Sequence, residues 1–340
     1  MDADRNHPWY GYVFSLVSPD GIARRLATRL VERVLGAGFA VEYCQIVNVG
    51  PDQLDAAFAH DTGALRNVYR YRILDLLFAY GPALAIVYRD TRPDTRPDTR
   101  PDTRRDVDRD ADDPYRRLKA LKGATSPVDA LPGTIRADLG AINTILGLMH
   151  SSDSPEETAE EAGLFLRGAL PAGRPPAGDP ARGTDGRSLP ALLRLVDSGP
   201  AAAGEFQTVL AAHRARVLAA CFTDLSAAAR DRVHASVEAA MGDPLGETGA
   251  GAAIAAGLRG GPDHPAWPLL TAEWRPGLPS LGARAAAARL AALGLAVDPW
   301  EELVLCSSAH FEPVRRPAAR RAAGSPGEPP APRPEQEAAR

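Results

Sequence analysis

The stretch HSSDSPEETAEEAGLF, residues 150–165, joins a histidine to a strong signal for the start of a helix. Ser154 can cap the helix, Pro155 suits the first helical position and Glu157 completes a capping box. His150 lies just ahead of this helix, at the end of an apolar segment. Neutral imidazole is a good nucleophile near pH 7, but most single histidines in such a setting are packed or surface residues. Taken alone, the stretch predicts a helix and leaves the role of the histidine open.

The chain before residue 90 alternates between strand and helix signals. Residues 11–17, 40–50 and 81–89 are rich in β-forming side chains, and we predict three strands there. Residues 22–38 carry apolar side chains along one helical face, and residues 51–80 read as largely helical. The predicted order is therefore strand, helix, strand, helix, strand.

Composition divides the chain into parts. Residues 90–113 contain a DTRP repeat, with a proline at every fourth position, and are predicted to form an extended, disordered insert within a first domain, 9–167. Residues 168–188 are rich in Pro and Gly and are predicted to be a linker. We expect a mostly helical, alanine-rich domain of unknown role over 189–312 and a disordered tail over 313–340.

Bulk properties narrow the class of protein. A formal net charge of −4 on 340 residues provides no overall field that attracts nucleic acid or an anionic membrane. The three cysteines form no CxxC pair, which favours a reducing compartment, and the sequence begins without the pattern of a signal peptide. No apolar run approaches the ~20 residues of a membrane span. We predict a cytoplasmic protein with neither nucleic-acid nor membrane partners.

Three sequence motifs follow one another along the chain: SPDG at 18–21, KGATSPVDALPGTIRADL at 122–139, and the histidine stretch at 150–165. Together they resemble the nucleoside diphosphate kinase family, in which a histidine is followed by a small residue, Ser-Asp-Ser and, eleven residues after the histidine, a glutamate. His150 and Glu161 match that pattern. The resemblance covers residues 9–167 and implies an α/β (α+β) fold of the ferredoxin-like type, an antiparallel sheet covered by helices.

The resemblance also implies an activity. A γ-phosphoryl group would pass from a nucleoside triphosphate to His150 and then to a nucleoside diphosphate, in a ping-pong reaction. Glu161 would accept the other ring N–H and fix the tautomer. Thr125 and Arg136 would bind the nucleotide phosphates, and Mg²⁺ would arrive bound through those phosphates rather than through protein ligands. Family members form multimers, so the resemblance implies a homo-oligomer.

Further nucleotide-binding candidates follow from the same comparison. Lys119 stands where the family has an arginine, six residues before Thr125, which keeps the charge but loses the bidentate fork. Tyr71, or alternatively Tyr69, is a candidate for stacking on the base. Ser152, within the histidine motif, completes the predicted set.

The sequence departs from the family pattern near the predicted site. Ser18 stands where the family has a lysine that approaches the transferred phosphoryl group, and loss of such a group typically lowers the rate by ~10²–10³-fold. Gly147 replaces an asparagine and Ser151 replaces a glycine. A cation from elsewhere could fill the gap at Ser18, and the arginines considered for this are Arg104, Arg116 and Arg117. Replacing Ser18 with lysine is predicted to raise activity if the site is otherwise assembled.

Two other functions remain open. A nucleotide-binding protein that has lost catalysis could act as a regulator or adaptor, with the helical domain binding a protein partner. A signalling protein could keep the first half-reaction and lose the second. In the helical domain, His213, His234 and His310 lack metal-ligand spacing and are predicted to be structural.

Overall fold

The computed structural model describes residues 6–57, 68–92, 113–166, 175, 188–238 and 244–315. Most of the predicted insert, linker and tail lies outside these described residues. The side chains of residues 68–72 also lie outside them. Those predictions therefore stay as stated.

Four antiparallel strands form one sheet in the order β2-β3-β1-β4. They are β1 (Tyr12–Val17), β2 (Phe39–Val47), β3 (Ala83–Asp90) and β4 (Met149–Ser151). β1 is central and buried on both faces, with Phe14 in one hydrophobic cluster and Val13 in the other. This arrangement confirms the predicted ferredoxin-like antiparallel sheet.

Helices cover both faces of this sheet. They are α1 (Pro19–Ala23), α2 (Ala27–Gly36), α3 (Pro51–Ala57), α4 (Val68–Tyr80), α5 (Pro114–Lys122), α6 (Ile135–Asp138) and α7 (Pro155–Phe165).

The prediction over 22–38 is correct for α2 and wrong in expecting one continuous helix, because the chain breaks between α1 and α2 at Arg25, whose φ is +57°. The carboxylate of Asp197, far along the chain, accepts from the N–H groups of Ala27 (3.1 Å) and Thr28 (2.9 Å). A long-range cap thus starts the second helix.

The second half of the chain is mostly helical, as predicted. Its helices are α8 (Leu189–Val196), α9 (Phe206–Cys221), α10 (Ala227–Glu238), α11 (Ala250–Ala255), α12 (Ala266–Thr271), α13 (Ala283–Ala292) and α14 (Pro299–His310). Arg214 on α9 is fully buried and is paired with Glu273 at 3.0 Å. His213 beside it is also buried and bonds Glu301 at 3.2 Å.

The two halves share a hydrophobic core. Ile73 and Leu77 of α4, together with Ile142 and Leu146, belong to the same buried cluster as the side chains of α9 and α14. Each large aliphatic side chain that leaves water in this way contributes about 1.5–3 kcal/mol. The helical half is therefore packed onto the segment that leads into β4. The boundary at 168–188 stays a prediction from composition.

Two further features concern the apolar helices and the cysteines. Across the described ranges, no helix is both long enough and apolar enough to cross a membrane. Cys44, Cys221 and Cys306 are all buried free thiols.

Candidate active site

His150 lies on β4, the short edge strand, opposite Leu16 of the central strand. The Ser15 hydroxyl donates to the His150 carbonyl at 2.8 Å, which ties the edge strand to β1. The imidazole is 42% exposed and lines a cavity of about 940 Å³. This volume suits a ligand of nucleotide size.

Glu161 holds one ring nitrogen of His150. The Glu161 carboxylate lies 2.6 Å from Nε2 through Oε1 and accepts the Ser152 hydroxyl at 2.6 Å through Oε2. Ser152 is fully buried, so it lies behind Glu161 rather than at the cavity surface. Because an ionised carboxylate only accepts, the proton is held on Nε2 and the lone pair remains on Nδ1.

The start of α7 sets the position of Glu161. The Ser154 hydroxyl accepts from the N–H of Glu157 at 3.1 Å, as the capping box predicts. In a capping box, the glutamate carboxylate accepts from the backbone N–H of the capping residue, here Ser154. In this structure, the Glu157 carboxylate accepts instead from the backbone N–H of Asp153, at 2.7 Å. Glu161 follows one turn later and faces β4.

The turn at 18–21 holds the residue before β4 in place through backbone hydrogen bonds. Leu148, two residues before His150, has a left-handed backbone with φ of +73°. Its N–H donates to the Asp20 carboxylate and its carbonyl accepts from Ser18 N–H, both at 3.1 Å. A Cβ on Gly21 would lie 2.9 Å from the Leu148 carbonyl, so only glycine fits without a shift. The SPDG motif therefore fixes the strained entry into the histidine strand.

Asp20 is fully buried, and this burial raises the pKa of its carboxyl above the usual range. The nearby Arg24 charge and the bond from Leu148 oppose that rise. A carboxyl group in this setting acts chiefly as a hydrogen-bond acceptor for the backbone.

Two of the predicted phosphate ligands lie at the cavity surface. Thr125 and Lys119 are exposed and line the same cavity as His150. The Lys119 ammonium is paired with Asp153 at 2.5 Å. Tyr71 belongs to α4, and its side chain lies outside the described residues.

Arg136 also lines the cavity, but its guanidinium is buried and largely committed to the backbone. It donates to four carbonyl groups, those of Gly123, Ala124, Gly147 and Met149. Burial lowers the pKa of this guanidinium below its usual range. Arg136 thus ties the loop after α5 to the segment before β4, and one of its five N–H donors stays free of these bonds.

Lys122 is the cavity residue that sequence reasoning missed. Its side chain is 7% exposed, and its ammonium donates to the Ser151 hydroxyl at 2.8 Å and to the Ser151 carbonyl at 3.3 Å. Burial, followed by the Arg136 charge, lowers the pKa of Lys122 to about 8. One sequence signal was present: the chain has 37 arginines and only two lysines, Lys119 and Lys122, both on α5.

Three arginines were considered as sources of the charge that a lysine at residue 18 would supply. Arg117 is bound to Asp90 at 2.7 Å and its guanidinium lies 4.3 Å above the centre of the Phe39 ring. Arg116 lies at the cavity edge, and Arg104 is outside the described residues. The hypothesis that Arg117 fills the gap is therefore not supported by its contacts.

Fold and site together define a class: an α/β protein with an antiparallel ferredoxin-like sheet, whose edge strand presents an oriented histidine to a cation-lined cavity. Residues 109–169 match the family profile described as nucleoside diphosphate kinase. The chain is 31% identical over 154 residues to a nucleoside diphosphate kinase of Mycolicibacterium gilvum, covering 45% of this chain and 94% of that protein. It belongs to the nucleoside diphosphate kinase family, through slightly less than half of its length.

Other relatives align with the same part of the chain. Nucleoside diphosphate kinase 3 of Homo sapiens is 32% identical over 154 residues, which is 45% of this chain and 76% of that protein. A solved nucleoside diphosphate kinase of Halobacterium salinarum, in complex with CDP, is 24% identical, covers 46% of this chain and 88% of its own, and has a TM-score of 0.36.

Proposed function

We propose that the protein is a nucleoside diphosphate kinase that transfers a γ-phosphoryl group through phospho-His150. The single observation that carries this proposal is the bond from His150 Nε2 to Glu161, which leaves the Nδ1 lone pair available beside the cavity. The substrates are a nucleoside triphosphate as donor and a nucleoside diphosphate as acceptor.

The chemistry follows from the two ring nitrogens. Nδ1 attacks the γ-phosphorus, an N–P bond forms, and the P–O bond to the β-phosphate breaks with release of a nucleoside diphosphate. Positive charge that develops on the imidazole is stabilised by Glu161, which Ser152 in turn holds in place. A second nucleoside diphosphate then attacks the phosphohistidine and restores the neutral ring.

The cavity residues divide the work of binding. The Thr125 hydroxyl and the Lys119 ammonium, both of residues that line the cavity, bind phosphate oxygens. Arg136 keeps the two loops around them together and contributes its remaining N–H donor. Positioning and charge stabilisation of this kind account for most catalysis of phosphoryl transfer.

The donor chemistry at the cavity fits Mg²⁺ carried by the nucleotide. Asp129, Glu160 and Thr125 place oxygen atoms along the cavity, and Mg²⁺ prefers oxygen ligands and retains phosphates and water around it. Bound in this way, the ion would neutralise part of the charge on the β- and γ-phosphates.

The three buried free thiols support a cytoplasmic location, since such cysteines persist in reducing compartments. We also infer self-association, as the family resemblance implies. Light scattering coupled to size-exclusion chromatography measures it directly, and a mass equal to that of one chain would contradict it.

The test is a two-stage labelling experiment. The full chain is incubated with γ-labelled ATP and Mg²⁺ and then chased with CDP. We expect acid-labile label on the protein, followed by labelled CTP. His150→Ala should abolish both signals, while His234→Ala, which changes an exposed histidine in the helical half, should keep both.

Each other outcome selects an alternative. Label that forms on His150 but does not reach CDP would overturn the kinase and favour a signalling protein. Binding of ATP without any label would favour a nucleotide-binding adaptor that acts through the helical half.

A further inference from the structure

The cationic side chains around the cavity differ in whether other protein groups already pair with them. Lys119 is paired with Asp153, and the Arg136 guanidinium has four carbonyl partners. The side chain of Arg116 is 54% exposed and pairs with Asp113. None of these three presents an unpaired, dehydrated charge to a ligand.

Lys122 is in a different state. Its ammonium is buried and, among the residues that the structure describes, bonds only Ser151, which leaves one of its three N–H donors without a partner there. No carboxylate of the described part of the chain forms an ion pair with it. Desolvation of an unpaired ammonium is costly unless a ligand compensates for it. A depressed lysine pKa within a cavity is also typical of functional sites.

The edge strand places Lys122 beside Ser151, the residue that directly follows His150. The Met149 and Ser151 carbonyls point away from β1, and they receive Arg136 and Lys122 respectively. These two carbonyls are about 7 Å apart along the strand, with His150 between them. Along the free edge of β4, Arg136 and Lys122 therefore bond the backbone carbonyls of the residues on either side of His150.

The groups that face the Lys122 ammonium complete its setting. Arg136 and Lys119 lower its pKa, whereas Asp153 and Glu161 oppose that effect. A phosphoryl group at the cavity would add negative charge close to the ammonium and would favour its charged form.

We propose that Lys122 binds the phosphoryl group during its transfer to and from His150, and that it supplies from α5 the cation that Ser18 does not supply from the end of β1. Ser151 holds the ammonium in place through its hydroxyl. This inference rests on the proposed kinase function and adds a catalytic residue to it. Ser18 lines the same cavity, so a lysine introduced there would reach the same space.

The first test uses the low lysine content of the chain. Full-length protein grown with ¹³C-lysine gives only two sets of side-chain signals, from Lys119 and Lys122, which Lys119→Arg and Lys122→Arg assign. We expect the Lys122 signal to titrate near pH 8 in the free protein. Saturating Mg²⁺ and an ATP analogue with a nitrogen bridge between the β- and γ-phosphates should raise that pKa by about one unit or more. ADP should raise it less, because it lacks the γ-phosphate.

A Lys122 titration that is the same with and without the triphosphate analogue would overturn the proposal. This result does not depend on turnover. The wild-type protein could fail to label His150 while the analogue still raises the pKa of Lys122. That result would contradict the kinase function but would support a contact between Lys122 and the phosphates.

The second test separates a catalytic from a structural role. Lys122→Met should slow phosphorylation of His150 by about 100-fold while ADP affinity changes only a few-fold, and Lys122→Arg should keep part of the rate. In the Lys122→Met background, Ser18→Lys should raise the rate of His150 phosphorylation at least about tenfold. In the wild-type chain, the same substitution should raise that rate by a smaller factor. Equal gains in both backgrounds, or a wild-type rate in Lys122→Met, would contradict the proposal. Thermal unfolding of each variant checks that a lost rate does not reflect a lost fold.

Discussion

At the scale of single residues, the site depends on charged side chains that are themselves held in place by neighbouring hydroxyl groups. Glu161 orients His150 with one oxygen and is itself oriented by Ser152 through the other. Lys122 is held by Ser151, the residue directly after the histidine. Of the two departures from the family pattern, Ser151 bonds this buried ammonium directly, whereas Ser18 lines the same cavity.

Glu161→Ala should lower the rate of His150 phosphorylation by roughly 10–100-fold, because the imidazole loses the acceptor that fixes its tautomer and orientation. Single-turnover labelling with γ-labelled ATP measures this rate. Glu156→Ala, at the exposed start of the same helix, is the matched control and should retain the wild-type rate. An unchanged rate in Glu161→Ala would mean that the carboxylate does not act on the ring.

The Lys122 ammonium should also set an alkaline limit on activity. Because the pKa of Lys122 is lowered to about 8, the group is charged below that pH and loses its proton above it. If the charged form binds phosphate, kcat/KM falls as pH rises through about 8, while kcat persists to higher pH because bound phosphate favours the ammonium. Lys122→Arg should extend the plateau of kcat/KM upwards. A kcat/KM that stays flat to pH 10 in the wild-type chain would contradict this prediction.

At the scale of elements, β4 is only three residues long and depends on its neighbours for its position. The turn after β1 holds Leu148 in a left-handed conformation, and α7 presents Glu161 from the other side. The C-terminus of α5 brings the two lysines to the free edge. The histidine strand is therefore held by three elements, of which the turn after β1 is 128 positions away in the sequence.

Asp20→Ala should destabilise the protein by about 2 kcal/mol, because the buried N–H of Leu148 loses its acceptor in a strained conformation. Urea unfolding measures this free energy. Asp20→Asn is the matched variant: it keeps an acceptor for Leu148 without a buried carboxyl group and should lose much less. Equal losses in the two variants would show that the bond to Leu148 is not what stabilises this turn.

At the scale of the whole molecule, the helical half stabilises the segment that leads to the histidine. Asn143 is fully buried, and its amide donates to the hydroxyls of Ser307 (2.8 Å) and Ser308 (3.1 Å) on α14. Its oxygen accepts from the N–H groups of Ile145 and Leu146, both at 3.0 Å. One asparagine thus links the loop before β4 to the second half of the chain.

Asn143→Ala should lower the free energy of unfolding by roughly 2–3 kcal/mol, because two backbone donors and two hydroxyls lose a buried partner together. Chemical denaturation followed by far-UV circular dichroism measures the loss. Ser198→Ala, which removes an exposed hydroxyl bonded to Leu195, should change it by less than about 0.5 kcal/mol. If the two variants were equally stable, the link between the halves would carry no stability.

The sequence by itself determined the features that depend on neighbouring residues. Runs of β-forming side chains predicted β1, β2 and β3, and the Ser154–Pro155–Glu157 signal predicted the start of α7, because strand propensity and helix capping act over a few residues. The ordered motifs around His150 predicted the ferredoxin-like sheet through their family resemblance.

Only the tertiary structure decided the features that depend on distant contacts. The break between α1 and α2 is capped by Asp197, some 170 positions away, and no local pattern encodes that partner. The commitment of Arg136 to carbonyls and the buried ammonium of Lys122 likewise appear only when α5, α6 and β4 are packed together. Burial and long-range hydrogen bonds determine whether a charge is available to a ligand, and both are properties of the folded chain.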